Sequence, residues 1–380
     1  MRTLPLLSSL ALAACCTLAA AQATRPATTR PSTPPAPKLY GDKPADTYPE
    51  GVPPPVIRDR FTADPHALII GDTYYIYPTV DKENWLTTEF NVWSSKNLID
   101  WKNEGVIIDL AGQGTGHRDV SWANIRAWAP GVIARDGKVY DYFCADTNIG
   151  VAVADKPTGP FKDALGKPLI PKGAFRGQMI DPAPFIDEDG TPYLYWGNGG
   201  LYVAKLNNDM ISFAGATGDD WKTAVKTITP TWQGGGRFNE GIFVFKRKGT
   251  YYFTWSENDA RAANYQVAYG TSDSPFGPIK VPANRLFLEN DKRKDADGKP
   301  APLVKGTGHH SVLNIPGTDR WYIVYHRHAV PGGSGFIRET CISPMEFAPN
   351  PNGGPDLIKP VDVTHPAFAP GSKGEPLPAH

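Results

Sequence analysis

The chain has 380 residues, with 39 Lys plus Arg against 39 Asp plus Glu, and is formally neutral, which excludes a nucleic-acid binder that works by surplus basic charge. Its 38 Gly and 38 Pro exclude a fold of long helices, which tolerate neither residue well. The 16 Tyr, 16 Phe and 10 Trp point instead to short strands, and to surfaces that can stack against the partly apolar faces of sugars.

Residues 1–23 read MRTLPLLSSLALAACCTLAAAQA: one Arg, an apolar run, then small residues. This is the pattern of a secretory signal, too short and too Ala-rich to serve as a membrane span. Two processing readings stand. Ala19-Ala20-Ala21 or Ala21-Gln22-Ala23 suits ordinary signal peptidase, and the shortness of the apolar run favours it. Leu12-Ala13-Ala14-Cys15 resembles a lipobox, which would leave a lipid anchor on Cys15. Either way the mature protein is expected to be secreted or periplasmic, in the cell envelope. Residues 24–56 are rich in Pro, Thr and Ala and read as a disordered tether; 366–380 read as a disordered tail of similar composition.

The body between them, 57–365, repeats one pattern five times. Asp64 opens DPHALIIGDTYYIY, Trp128 opens WAPGVIARDGKVYDYF and Asp181 opens DPAPFIDEDGTPYLYW. Glu240 opens EGIFVFKRKGTYYFTW and His309 opens HHSVLNIPGTDRWYIVY. Each copy is a β-rich run, a tight turn with Gly and a second run ending in aromatics, which is a hairpin. Most copies add a third and fourth element, and the repeat returns roughly every 60 residues, the signature of a propeller blade. The expected fold is all-β, a single five-bladed β-propeller.

Cys144 and Cys341 are the only cysteines of this body, and they read as buried free thiols. No CxxC, no His-rich zinc pattern and no GxGxxG before a helix is present, which speaks against structural zinc and a dinucleotide cofactor. In a propeller the first strand of each blade lines the axis. Asp64, Trp128, Asp181, Glu240 and His309 are taken here as equivalent strand starts, so three carboxylates, an aromatic and a histidine converge at one end of the channel. One protonated carboxyl and one carboxylate on opposite faces of a sugar suffice to hydrolyse a glycoside. A third carboxylate would raise the pKa of the acid. Trp85 and Trp128 are candidate walls for the sugar, with blade packing as the other role open to them.

In these segments the sequence resembles glycoside hydrolase family 43, five-bladed propeller enzymes that include β-xylosidases and α-L-arabinofuranosidases. The resemblance rests on Ala63-Asp64-Pro65, Ile180-Asp181-Pro182 followed by DEDGTPYLYWG, Asn239-Glu240-Gly241, Gly306-Thr307-Gly308-His309 and Arg338-Glu339-Thr340. It implies Asp64 as general base, Glu240 as general acid and Asp181 as the carboxylate that tunes and orients the acid. It places His309 where the family has an axial calcium or a structural histidine, and Arg338 as a contact to the sugar, with Arg327 a second candidate for that contact. No cofactor is required for the chemistry; a structural calcium is the one metal the resemblance allows. The implied activity is inverting hydrolysis releasing xylose or arabinofuranose from cell-wall oligosaccharides and polysaccharides such as xylan, arabinoxylan and arabinan. An endo-arabinanase of the same fold and a non-catalytic carbohydrate-binding propeller are the alternatives. The expected partner is a carbohydrate, with no nucleic acid and no membrane span.

Overall fold

In the computed structural model, residues 45, 47–217, 220–232 and 236–378 are described. The leader, Cys15 and most of the tether lie outside them. Five blade sheets, antiparallel but for a parallel pairing of Thr231–Trp232 at the edge of the fourth, follow in chain order, and Phe347–Ala348 pairs with Leu357–Ile358 in a small sixth sheet. The first comprises Thr62–Ile70, Thr73–Val80, Glu89–Ser95 and Trp101–Asp109. The second comprises Trp128–Arg135, Lys138–Ala145, Asn148–Ala154 and Lys162–Asp163. The third comprises Ala183–Ile186, Pro192–Trp196, Leu201–Lys205 and Lys226–Ile228. In the fourth, Glu240–Arg247, Thr250–Glu257 and Gln266–Ser272 are edged by Lys280–Val281 and Leu286–Leu288. The fifth has three strands, Gly308–Asn314, Trp321–His328 and Arg338–Met345. The turn glycines of the five leading hairpins, Gly71, Gly137, Gly190, Gly249 and Gly317, all take φ between 59° and 81°, a region closed to most side chains. The chain is thus the five-bladed propeller that the repeat implies.

The apolar cores lie between blades. One cluster joins Phe90 and Val92 to Val132 and Phe143, and another joins Ile149 and Val151 to Leu194 and Trp196. Others join Val203 to Phe253, Tyr252 to Ile323, and Ile76 to Val324. The last closes the ring between the fifth blade and the first. Cys144 and Cys341 are buried free thiols.

The chain ends close this seam, and here the structure corrects the expectation of a disordered tail and of a tether reaching to 56. Val56 N–H bonds the Thr340 carbonyl at 2.9 Å, and Tyr48 donates to Glu339 at 2.8 Å. Phe368 and Leu377 pack on the cluster between blades five and one. Glu375 is buried against Arg320 Nη1 (2.8 Å) and the Tyr322 hydroxyl (2.9 Å). A Pro-rich composition reads as unfolded, but a few apolar side chains and a buried carboxylate paired with a half-exposed arginine are enough to dock a strap on an existing surface.

One buried group plays no part in this framework. Asp141, on the second strand of blade two, is fully buried and neither carboxyl oxygen has a partner. Burial pushes its pKa well above the usual carboxylate range. A carboxyl raised in the folded state stabilises fully below its unfolded pKa, and that contribution is lost as pH rises through the folded value. Asp141→Asn should therefore raise Tm by at least a few degrees at pH 8, at about 2 °C or more per kcal/mol, and by little near pH 4. Thermal unfolding of both proteins at the two pH values checks this; an equal difference at both would show that Asp141 does not titrate between them.

Candidate active site

Each first strand begins with one residue in the left-handed region. These are Asp64 (φ 47°), Ala129 (40°), Asp181 (58°), Gly241 (62°) and His309 (34°). In blades one, two, four and five the ladder shifts register at this point. The equivalent positions are therefore these five, and the sequence alignment is corrected by one residue at Trp128 and Glu240. A bulge leaves an extra residue unpaired and re-aims the side chains around it. Two neighbouring rows result. Asp64, Asp181 and His309 belong to one; Trp128, Ile180 and Glu240 belong to the row before it. All six line a single cavity of about 670 Å³.

The bulges are held by side chains from the second strands. Ala129 N–H donates to Thr79 Oγ1 at 2.8 Å, His309 N–H to Ser256 Oγ at 2.9 Å, and Asp64 N–H to His326 Nδ1 at 3.1 Å. The corresponding place in blade three is Gly197, whose N–H bonds the Ile180 carbonyl and which has no side chain to offer. The Gly241 N–H goes instead to Asp181 Oδ2 at 2.9 Å. The missing side chain thus fixes the direction of one of the three carboxylates.

The three carboxylates have distinct surroundings. Asp64 Oδ1 meets Arg338 Nη1 at 2.9 Å, His326 Nδ1 at 3.1 Å and His309 Nδ1 at 3.4 Å, while Oδ2 accepts from the Thr79 hydroxyl at 2.9 Å. Burial alone would raise its pKa; the Arg338 guanidinium, with His309 and His326 beside it, outweighs burial and holds the carboxyl well below the usual range. Arg338 is itself clamped to Asp81 through Nη2 (2.7 Å) and Nε (3.1 Å). Glu240 accepts from the Tyr265 hydroxyl at Oε1 (2.9 Å) and from Asn198 Nδ2 at Oε2 (2.7 Å). Burial pushes it up to about 7, against the pull of those two hydrogen bonds and with the charges of Asp64 and Asp259 adding to the rise. Asp181 is raised by burial, then by the charges of Glu240 and Asp64. One carboxyl is thus fixed as an anion, and another keeps a proton near neutral pH.

The charge of Glu240 raises Asp181, and carboxyls that interact in this way lose their protons as a pair, the second departure belonging to both. Asp181→Asn removes that coupling. The basic limb of the rate profile should then move to lower pH, as measured by kcat/KM across pH; a limb that moves up would show that Asp181 stabilises the protonated acid by another route.

Trp85 and Trp128 both line the cavity. Their rings meet edge-on at 6.2 Å, and Trp85 packs on Phe336 at 4.6 Å. Trp85 Nε1 donates to the Gly335 carbonyl (2.7 Å) and Trp128 Nε1 to the Trp85 carbonyl (2.8 Å). Asn84 and Trp85 take φ of 54° and 57°, consecutive non-glycine residues in the left-handed region. Such strain persists only where the surroundings over-determine it, here by anchoring the Trp85 ring to blade five.

Arg338 lines the cavity beside Asp64, whereas the structure excludes Arg327 as a sugar contact. Arg327 is fully buried, bonds Glu339 Oε2 through Nε (3.0 Å) and lies 5.5 Å over the Tyr48 ring. Successive strand residues face opposite sides. His326 faces Asp64, so Arg327 faces away. His309 stands between Asp64 Oδ1 and Asp181 Oδ2, with Nδ1 3.4 Å and 3.9 Å from them. Among the described residues no three His, Cys, Asp or Glu side chains group so as to hold a metal ion, and calcium takes six to eight oxygen ligands. A lone imidazole does not make that site, and no chemical step here runs through a metal. Sequence reasoning missed Thr79, Asp81, Asn198, Tyr265 and His326. All but Tyr265 lie at or just beyond the ends of second strands, where a propeller brings them to the axis.

Comparison with known proteins agrees with this fold. The family model for glycosyl hydrolases family 43 matches residues 53–352. The β-D-galactofuranosidase xynD of Aspergillus niger is 34% identical over 80% of this chain and 83% of its own. The xylosidase/arabinosidase 43A of Humicola insolens is 28% identical over 77% of this chain and 96% of its own. Among solved structures, a β-xylosidase/α-arabinofuranosidase from a compost microbial metagenome, in complex with xylotriose in a calcium-free form, superposes with TM-score 0.63 at 27% identity, covering 82% of this chain and 98% of that one.

Proposed function

The chain belongs to glycosyl hydrolases family 43, and is thus a glycosidase acting on O-glycosyl bonds; from that premise we propose that it removes xylose or arabinofuranose units from xylan, arabinoxylan or arabinan with inversion at the anomeric carbon. Asp64 takes a proton from the attacking water as the oxygen bonds the anomeric carbon. Glu240 gives its proton to the departing glycosidic oxygen on the other face. Trp85 and Trp128 offer apolar walls to the ring, and Arg338 holds the base. The observation that carries this reading is the divergence of two carboxyls in one cavity, Asp64 depressed by Arg338 and Glu240 raised to about 7 by burial. A carbohydrate-binding propeller has no use for that divergence. The sequence of residues 1–23 supports an exported enzyme, meeting a polymer outside the cytoplasm. Among the described residues no helix is long and apolar enough to cross a membrane.

A panel of nitrophenyl β-xyloside, α-L-arabinofuranoside and β-galactofuranoside, with linear arabinan beside it, tests the substrate. Release from the xyloside or the arabinofuranoside is expected. Turnover of the galactofuranoside alone would move the assignment to the specificity of the Aspergillus relative, and mid-chain cleavage of arabinan alone would make the enzyme endo-acting. Proton NMR of the first-formed sugar, read before mutarotation, should show inversion.

A further inference from the structure

The Glu240 carboxyl is gripped by an amide and a phenol, and the phenol has its own support. Tyr265 is fully buried and donates to Glu240 Oε1 at 2.9 Å. Burial pushes the Tyr265 hydroxyl well above its usual range, and the Ser256 hydroxyl pulls against that rise. Ser256 is fully buried, lies directly across the ladder from Glu240, and accepts the His309 N–H at 2.9 Å. A hydroxyl has one proton to give. Tyr265 gives its one proton to Glu240. The Tyr265 ring is closely packed against blade five. It stacks on His326 at 5.6 Å and 12°, the histidine whose Nδ1 takes the Asp64 N–H. Gly308, directly across the ladder from His326, leaves the ring room: a Cβ there would stand 2.3 Å from it.

We propose that Tyr265 is the positioning residue of the general acid: it fixes the Glu240 carboxyl against the stacked His326 and supplies a hydrogen bond to the anion left after each proton transfer. The proposal rests on Glu240 being the acid. The Tyr265 hydrogen bond favours the carboxylate, whereas burial and the surrounding charges favour the acid. Those charges are Asp64 from blade one, Asp181 from blade three and Asp259 from blade four, the last paired with Arg261 at 2.6 Å; His309 and the cation Arg338 face the same space from blade five. Tyr265 thus acts as a counterweight. It keeps the acid from holding its proton too tightly to release it.

Tyr265→Phe keeps the stacked ring and deletes the donor. With the anion less well solvated, the basic limb of kcat/KM should move up by about one pH unit or more, the scale of a hydrogen bond to a charged group. The rate on a xylo- or arabino-oligosaccharide should fall about 10-fold, and that on a dinitrophenyl glycoside much less. Ser256→Ala should give a smaller shift in the same direction, and Gly308→Ala, which displaces the ring, should resemble Tyr265→Phe. If Tyr265→Phe does not fold, the limb in these two variants decides. A limb that stays in place in the folded variants, with equal losses on both substrates, overturns the proposal. Glu240→Gln, run alongside, separates the two failures: if it keeps the wild-type basic limb, the assignment of Glu240 as acid has failed, not the positioning of it.

Discussion

Asp64→Ala should lose at least 10²–10⁴-fold in kcat on every substrate, whatever its leaving group, because each turnover needs the water to be deprotonated. The fold should survive. The carboxylate is held by Arg338, but Arg338 keeps its two bonds to Asp81, so removing Asp64 does not strand a buried cation. Thr79 loses its acceptor yet still receives the Ala129 N–H, so the blade-two bulge stays capped. A Tm close to wild type with activity abolished is thus the expected pair of results. Azide offers the further check. A small anion that needs no deprotonation can occupy the space of the missing carboxylate and attack in place of water, yielding a glycosyl azide of inverted configuration. Failure of azide to restore any turnover, together with residual activity above the expected loss, would take the base role away from Asp64.

How much of this site the sequence discloses depends on what each feature is made of. Hairpins are legible because their turns require glycine at positive φ, and five such turns at regular spacing specify blades. Asp64, Asp181 and Glu240 are legible as a set because they open those hairpins. The exact register is not: a bulge adds one residue without changing the apolar pattern, so Glu240 reads as equivalent to Asp64 although Gly241 is. The prolines after the bulge, Pro65, Pro130 and Pro182, hold the true alignment of the first three blades. The choice between Arg327 and Arg338 was open to a register argument as well. Directly paired residues share a face of the sheet, and Arg338 pairs with His328 while Arg327 pairs with Glu339. His328 and His326 lie on one face by strand alternation, which puts Arg338 with the axial residues and Arg327 with the buried ion pair. What no local pattern discloses is the set of contacts between blades. Thr79, Ser256 and His326 each serve a bulge on the next blade around the ring, across separations that only the closed propeller brings together.

Glu240→Ala should divide substrates by leaving group. A natural oligosaccharide leaves as an alkoxide, which is too basic to depart without a proton, so its hydrolysis should fall by about 10²–10⁴-fold. A dinitrophenolate is a stable anion at neutral pH, and its departure needs little help, so its rate should fall far less. The wild-type profile should also lose activity as pH rises past about 7, where Glu240 gives up its proton, whereas Asp64 stays ionised far below that point. In Glu240→Ala that basic limb should vanish on the activated substrate while the acidic limb remains. The structure also names a control. Glu257, the next carboxylate along the same blade, is buried and gripped by Arg285 at 2.8 Å and 3.1 Å, and is not among the side chains lining the cavity. Its alanine variant should cost stability, by stranding Arg285, and leave the ratio of activated to natural rates unchanged. Equal losses on both substrates in Glu240→Ala, with an altered ratio in Glu257→Ala, would transfer the proton donor from one to the other; the geometry, with Tyr265 and Asn198 aimed at Glu240, is built for the opposite result.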